Sequence, residues 1–289
     1  MKIKNTIVIC IIISCVELLV MTNYTMATEY YLAPTSAYFE VYSWDDHDFK
    51  LSQKINFEKI DHFAWPNCDK STGDVYFEGE NIDSKHKTSY IYKFNIDNPA
   101  KLKLVLEGRY PALSTDGKLL VYYQHPNQLW LLNLKNEQIE MIVDDMLNYR
   151  PPVWISPNRL LYYSNTRQLI LLDILTKEKR VTGHEKIVPG ALSPDGKTVL
   201  CSDARKIYIY SIDTNKIETI KETKFLSIGS DFIWRPDGKS FFYWRQTWAK
   251  QLQLQEGYGS FLFSLEDKTE KQLAPFGGSV FIGNNFNPR

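Results

Sequence analysis

The sequence predicts an all-β fold, a six-bladed β-propeller closed by a C-terminal innermost strand that joins the blade begun by the N-terminus. Three observations predict it. A short apolar segment running into a polar turn recurs six times, closing at Trp65, Leu113, Ile155, Leu192, Trp234 and Ile282, in steps of 48, 42, 37, 42 and 48 residues. A second segment, alternating in polarity, interleaves with the first: FEVYSW to Trp44, YKFNI to Ile96, LWLLNL to Leu134, LILLDI to Ile174, IYIYSI to Ile212 and SFLFSL to Leu265. The second series begins without a turn segment before it and the first ends without a partner after it, so the two ends of the chain share one blade. Periods of about 40–50 residues holding several short strands are those of propeller blades.

From the N-terminus, Met1-Lys-Ile-Lys-Asn5 is basic, Ile7 to Val20 is apolar apart from Glu17, and Thr25-Met-Ala27 offers small residues for cleavage. Residues 1–27 therefore read as a cleaved export signal and 28–289 as a single propeller domain, periplasmic or secreted. Two alternatives stay open: an envelope lipoprotein acylated at Cys15, and an uncleaved leader acting as an anchor. Membrane contact is expected only through one of these. Asp45-Asp-His-Asp48 is the densest ligand-like cluster, but its place between two strands of the first blade reads as a solvated hairpin, and no metal or cofactor is predicted.

Turn chemistry carries the middle of the chain. Leu113-Ser-Thr-Asp-Gly-Lys118, Leu192-Ser-Pro-Asp-Gly-Lys197 and Trp234-Arg-Pro-Asp-Gly-Lys239 each follow an apolar stretch. Proline presets φ, Asp bonds the backbone ahead, and Gly takes the left-handed position that closes the hairpin. Ile155-Ser-Pro-Asn158 is a reduced copy, and Trp65-Pro-Asn-Cys-Asp69 diverges most, with its glycine displaced to Gly73. Behind the turns come LLVYYQ (119–124), LLYYSN (160–165), TVLCSD (198–203) and SFFYWR (240–245). Such continuous apolar runs fit strands covered on both faces, as stacked blades require.

These hairpins resemble the W-S-P-D-G-K turns and aromatic strands of the TolB-like propellers over roughly 30–289. The resemblance implies a fold more than a function, because similar hairpins occur in propeller domains of peptidases. TolB-like proteins of the Tol system carry an α/β domain before the propeller; this chain is expected to lack one, and their partners are not carried over.

Lys plus Arg equals Asp plus Glu at 34 each, so the zero net charge argues against nucleic acid as a partner. Cys68 and Cys201 fall in blades two and five, too far apart for a disulfide, and Cys201 reads as a small core residue. No H-E-x-x-H, G-x-S-x-G, phosphate-cradling or C-x-x-C motif occurs, and no catalytic residue is assigned.

Topology says more about function. In a four-stranded meander the connections alternate between faces, so the Pro-Asp-Gly turns occupy one face. Second-to-third-strand loops and the crossings between blades occupy the other. That second face collects His62, His184, Arg109, Tyr110, Tyr149, Arg150, Arg245, Trp248 and Tyr258, and its loops, 79–89, 144–152, 221–231 and 245–259, are the longest. Arg, Tyr and Trp are the residues of interface anchors. The predicted function is that of a monomeric, non-enzymatic propeller binding a protein partner through this face, as scaffold or inhibitor. A hydrolase or lyase using His62, His184, Arg150 and Tyr149 at the channel mouth is one alternative, and a small-ligand or carbohydrate sensor is another. Both histidines are expected beside channel-lining strands, and Arg150 has a structural reading as a loop clamp on a neighbouring carboxylate.

Overall fold

A computed structural model of the 289-residue chain describes residues 29–35, 38–44, 49–83, 88–147, 150–223, 227–246, 258–273 and 280–283. The strands form six four-stranded sheets. Blade one contains β1 (Glu29–Pro34), β2 (Tyr38–Trp44) and β3 (Phe49–Asn56); blade two contains β4 (Ile60–Asp69), β5 (Asp74–Asn81), β6 (Ser89–Asn95) and β7 (Asn98–Glu107). Blade three is β8 (Arg109–Leu113), β9 (Leu119–Gln124), β10 (Gln128–Asn133) and β11 (Ile139–Val143). Blade four is β12 (Val153–Ser156), β13 (Arg159–Tyr163), β14 (Gln168–Asp173) and β15 (Lys179–Glu185). Blade five is β16 (Val188–Leu192), β17 (Thr198–Ser202), β18 (Lys206–Ser211) and β19 (Lys216–Glu222), and blade six is β20 (Ser227–Trp234), β21 (Ser240–Gln246), β22 (Tyr258–Ser264) and β23 (Glu270–Leu273). The last strand, β24 (Val280–Gly283), pairs antiparallel with β1 and completes blade one. The ring closes as the interleaved repeats predict.

Stacking explains the continuous apolar runs. Side chains alternate along a strand, so Leu120 and Tyr122 of β9 enter a core shared with blade two while Val121 and Tyr123 enter one shared with blade four. In β17, Val199 and Cys201 face blade four and Leu200 faces blade six. Blades one and two meet around Phe39, Phe77 and Phe94. At the closing seam, Tyr31, Trp44 and Phe49 of blade one pack against Phe242 and Leu273 of blade six. The innermost strands are also tied blade to blade: Trp154 Nε1 donates to the Ala112 carbonyl at 2.9 Å, and Trp234 Nε1 to that of Ala191 at 3.2 Å.

The Pro-Asp-Gly hairpins take the expected geometry. Gly117, Gly196 and Gly238 sit at φ +71°, +72° and +66°, and the Asp195 carboxylate accepts from the Ser193 hydroxyl and the Lys197 amide at 2.6 and 3.1 Å. Two details differ from expectation. Strand β4 continues past Trp65 to Asp69, with bulges around Ala64, so Cys68 lies in the strand; the turn itself forms at 70–73 around the expected Gly73 (φ +74°). The expected long loop 221–231 is shorter: β19 runs to Glu222 and β20 starts at Ser227. Cys68 and Cys201 are unpaired and belong to blades two and five. The expected leader, 1–27, and the Asp45–Asp48 cluster lie outside the described residues.

Candidate functional site

The central channel is lined by the innermost strands, and among the described residues Arg150 reaches across it. Arg150 precedes Pro151-Pro152, whose fixed φ carries the crossing from blade three into β12. Its Nη1 donates to Asp231 Oδ1 at 2.9 Å, and its guanidinium carbon lies 4.8 Å from the centroid of the Trp65 ring. Asp231 stands on β20 in blade six and Trp65 on β4 in blade two. Neither blade adjoins blade four, so a side chain reaching both must lie across the channel axis. The clamp expected of Arg150 therefore exists, but it spans the pore instead of fastening its own loop. Burial raises the Asp231 carboxyl above its ordinary range, against the opposing pull of Arg150.

Against this pair lies a cavity of about 300 Å³ whose walls include Asn67, Trp154, Pro189 and Phe232. Trp65 and Tyr110, on the inner strands of blades two and three, hold left-handed φ values of +53° and +52°, a region that residues other than Gly, Asn, Asp and His rarely visit; His62 lies there too, at +61°. Tyr110 is buried, with its ring edge-on to Trp65 at 5.7 Å.

The structure disperses the other predicted residues. Arg109 Nε donates to Glu78 Oε1 at 2.9 Å, and the Tyr110 amide donates to Glu78 Oε2 at 3.0 Å, which fixes the start of blade three to blade two. Arg245 pairs with Glu270 at 2.8 Å and lies 3.9 Å from the Phe261 centroid; Glu270 also holds Lys221 at 2.8 Å. His62 is exposed at the start of β4, with its own amide bonded to the Asp61 carboxylate. His184 does not lie beside the channel. It occupies β15, the outermost strand of blade four, with Nε2 3.0 Å from the Asn215 carbonyl in a turn of blade five. A crossing runs from rim to channel, so closeness in sequence to the next inner strand says nothing about radius. Tyr258 opens β22, and Tyr149 and Trp248 lie outside the described residues. Among the described residues, no group of three His, Cys, Asp or Glu side chains is placed to hold a metal.

Sequence reasoning missed Asp231 as the Arg150 partner, and Glu78 and Glu270 as arginine acceptors. A usable signal existed for Asp231, a lone acid inside the otherwise uncharged inner-strand segment SIGSDFIW.

Among solved structures, the chain is similar to TolB from Acinetobacter baumannii, with a TM-score of 0.66 at 14% identity over 89% of this chain and 66% of that one. It is also similar to an oligogalacturonate lyase from Vibrio parahaemolyticus, with a TM-score of 0.51 at 16% identity over 85% and 71% of the two chains. A puromycin hydrolase matches with a TM-score of 0.55 at 9% identity over 83% of this chain and 42% of that one. The chain spans just under two thirds of that TolB chain. No protein-family model matches the sequence, and no curated protein does. The fold is a TolB-like six-bladed β-propeller, shared by proteins of different activities.

Proposed function

We propose that the protein is an exported, non-enzymatic propeller that binds a protein partner through its long-loop face, as scaffold or inhibitor. The supporting observation is the dispersal of the groups an enzyme would gather. His62 and His184 belong to different blades at different radii, while Arg109 and Arg245 are engaged by Glu78 and Glu270. Catalysis by such groups needs them within hydrogen-bond reach of one reacting atom. A binding face needs only anchors on a rigid ring, and Arg109 keeps 45% of its side chain exposed while holding Glu78. Export rests on the leader sequence. Among the described residues, no helix is long and apolar enough to cross a membrane.

Affinity capture from an envelope extract with the mature ring, followed by light scattering of the recovered complex, tests the reading. A stoichiometric protein partner is expected. Arg109→Glu, Arg150→Ala or Trp248→Ala should weaken it, with one or two positions costing about 2 kcal/mol. Lys118→Ala and Lys197→Ala, on the opposite face, should change binding by less than about 0.5 kcal/mol. Sensitivity confined to the turn lysines would reverse the assignment of the face, and the absence of any stoichiometric partner would remove the reading.

A further inference from the structure

We propose that the channel mouth is a carboxylate-binding site, in which a ligand carboxylate replaces Asp231 on Arg150 and its apolar body lies among the aromatic and proline side chains of the cavity. The site shares Arg150 with the loop face proposed for partner capture, but that capture requires no carboxylate, so either can fail while the other stands.

The protein contains its own standard for a well-satisfied arginine. Arg235 forks onto both oxygens of Glu29, through Nε at 3.2 Å and Nη2 at 2.9 Å, the two-point geometry that suits a planar guanidinium. Arg150 is held less completely. A single bond, Nη1 to one oxygen of Asp231, is its hydrogen bond to the described residues, although a guanidinium carries five N–H donors. Its π-face is occupied by Trp65, so its remaining in-plane donors are the groups left for a ligand. A free carboxylate, unlike Asp231, is not tethered to a strand and can meet the guanidinium at two points.

The cavity supplies the second half of the site. Arg150 and Asp231 are the charged side chains on its described walls, and the remainder is dominated by Trp65, Trp154, Phe232, Pro151 and Pro189. With the Asp231 carboxyl protonated and moved off Arg150, one cation faces a half-open cavity walled by aromatic and proline side chains beside Asn67 and Thr115, which suits a monoanion with a hydrophobic body better than a polyanion. About 300 Å³ admits a group the size of one large amino acid. Trp65 is held against Arg150 in a sparsely populated backbone conformation, and such strain concentrates at ligand clamps. The shared chemistry is an apolar residue bearing a terminal carboxylate, from a free small molecule or from the C-terminus of a peptide.

Calorimetric titration of the mature chain with N-acetyl-tryptophan and N-acetyl-tryptophanamide tests the site. The acid should bind at least about tenfold more tightly than the amide, the value of one charged hydrogen bond. Asp231→Asn keeps the shape and removes the competing charge, so it should tighten the acid about tenfold and leave the amide unchanged. Arg150→Gln should abolish the preference for the acid, and Arg150→Lys should restore little of it. A hexapeptide ending in tryptophan separates the sources: tighter binding than N-acetyl-tryptophan, lost on C-terminal amidation, identifies a chain terminus, whereas exclusion of the peptide identifies a free carboxylate. If Arg150→Gln fails to fold, Asp231→Asn alone decides. Equal affinity of that variant for acid and amide, or no binding of any carboxylate probe to it, overturns the proposal.

Discussion

Arg235, in the turn of blade six, bonds both carboxylate oxygens of Glu29, the first residue of β1, and so fastens the last complete blade to the first. Both side chains are nearly enclosed, at 14% and 11% exposure. The Tyr31 hydroxyl also donates to Glu29, and the Arg235 guanidinium lies 5.9 Å from the Trp44 ring centroid. In blades three and five the same turn position holds Ser114 and Ser193, each bonded to the Asp two residues on. The repeat departs from its own motif where the ring has to be sealed.

Arg235→Ser should therefore restore a normal turn and still destabilise the ring. It leaves the Glu29 carboxylate enclosed without its cation, a loss of about 3 kcal/mol. Urea unfolding of Arg235→Ser, Glu29→Gln and the double variant checks this. The double variant should lose less than the sum of the singles, because removing one partner already forfeits the pair.

Strand closure makes a second expectation. Leu32, Tyr31 and Tyr30 of β1 pair with Val280, Phe281 and Gly283 of β24, so a chain ending at residue 277 exposes an inner strand edge. Exposed edges recruit other chains. The truncated protein should aggregate on size-exclusion chromatography and melt below the full chain; a monomer with an unchanged melting temperature would contradict closure by β24.

What the sequence made legible were features set by local chemistry and order along the chain. The left-handed glycines at 117, 196 and 238 follow from turn stereochemistry, and the shared first blade follows from the phase offset of two repeats. Radial and cross-ring relations were not legible. Arg150 and Asp231 are 81 residues apart, and they meet because a ring brings non-adjacent blades to one axis, a consequence of closure that no spacing encodes. His184 was misplaced for a related reason, since a residue just before a crossing still lies at the rim. The left-handed Trp65 depends on bulges in β4 that lack the usual Gly or Asn signature.

Glu78 should matter more to stability than the arginine it holds. It is 4% exposed and accepts from Arg109 and from the Tyr110 amide. Glu78→Leu leaves that amide without its acceptor and should cost about 3 kcal/mol. Arg109→Ala, at a half-exposed position, leaves Glu78 its bond from the Tyr110 amide and should cost less than Glu78→Leu. Denaturant midpoints of the two variants measure the order, and Arg109→Ala proving the costlier would show that Glu78 is satisfied in another way.

The thiols give a covalent check on blade order. Cys68 and Cys201 are unpaired, Cys201 is fully buried, and burial pushes the Cys68 thiol up to about 12. Thiolate is the reactive form, so native protein should react slowly with iodoacetamide at both positions and rapidly after unfolding without reductant. Peptide mass spectrometry showing a Cys68–Cys201 bridge would overturn the placement in blades two and five.

Two carboxylates should tilt stability with pH in opposite senses. The Ser193 hydroxyl, followed by the Lys197 amide, holds Asp195 below its ordinary value of 3.8. Its contribution is present above that value and is lost as pH falls through the depressed folded pKa. Asp231 is raised above 3.8 by burial, in spite of Arg150. Its folded form binds more protons than the unfolded chain, so its contribution is fully present below 3.8 and declines as pH rises through the folded pKa. The melting temperature of Asp195→Asn should fall below wild type at neutral pH and converge with it in acid. That of Asp231→Asn, relative to wild type, should climb as pH rises from about 4 toward neutrality. Differential scanning calorimetry across that range reads both slopes, and slopes of the same sign would mean that one of the two carboxylates has been given the wrong environment.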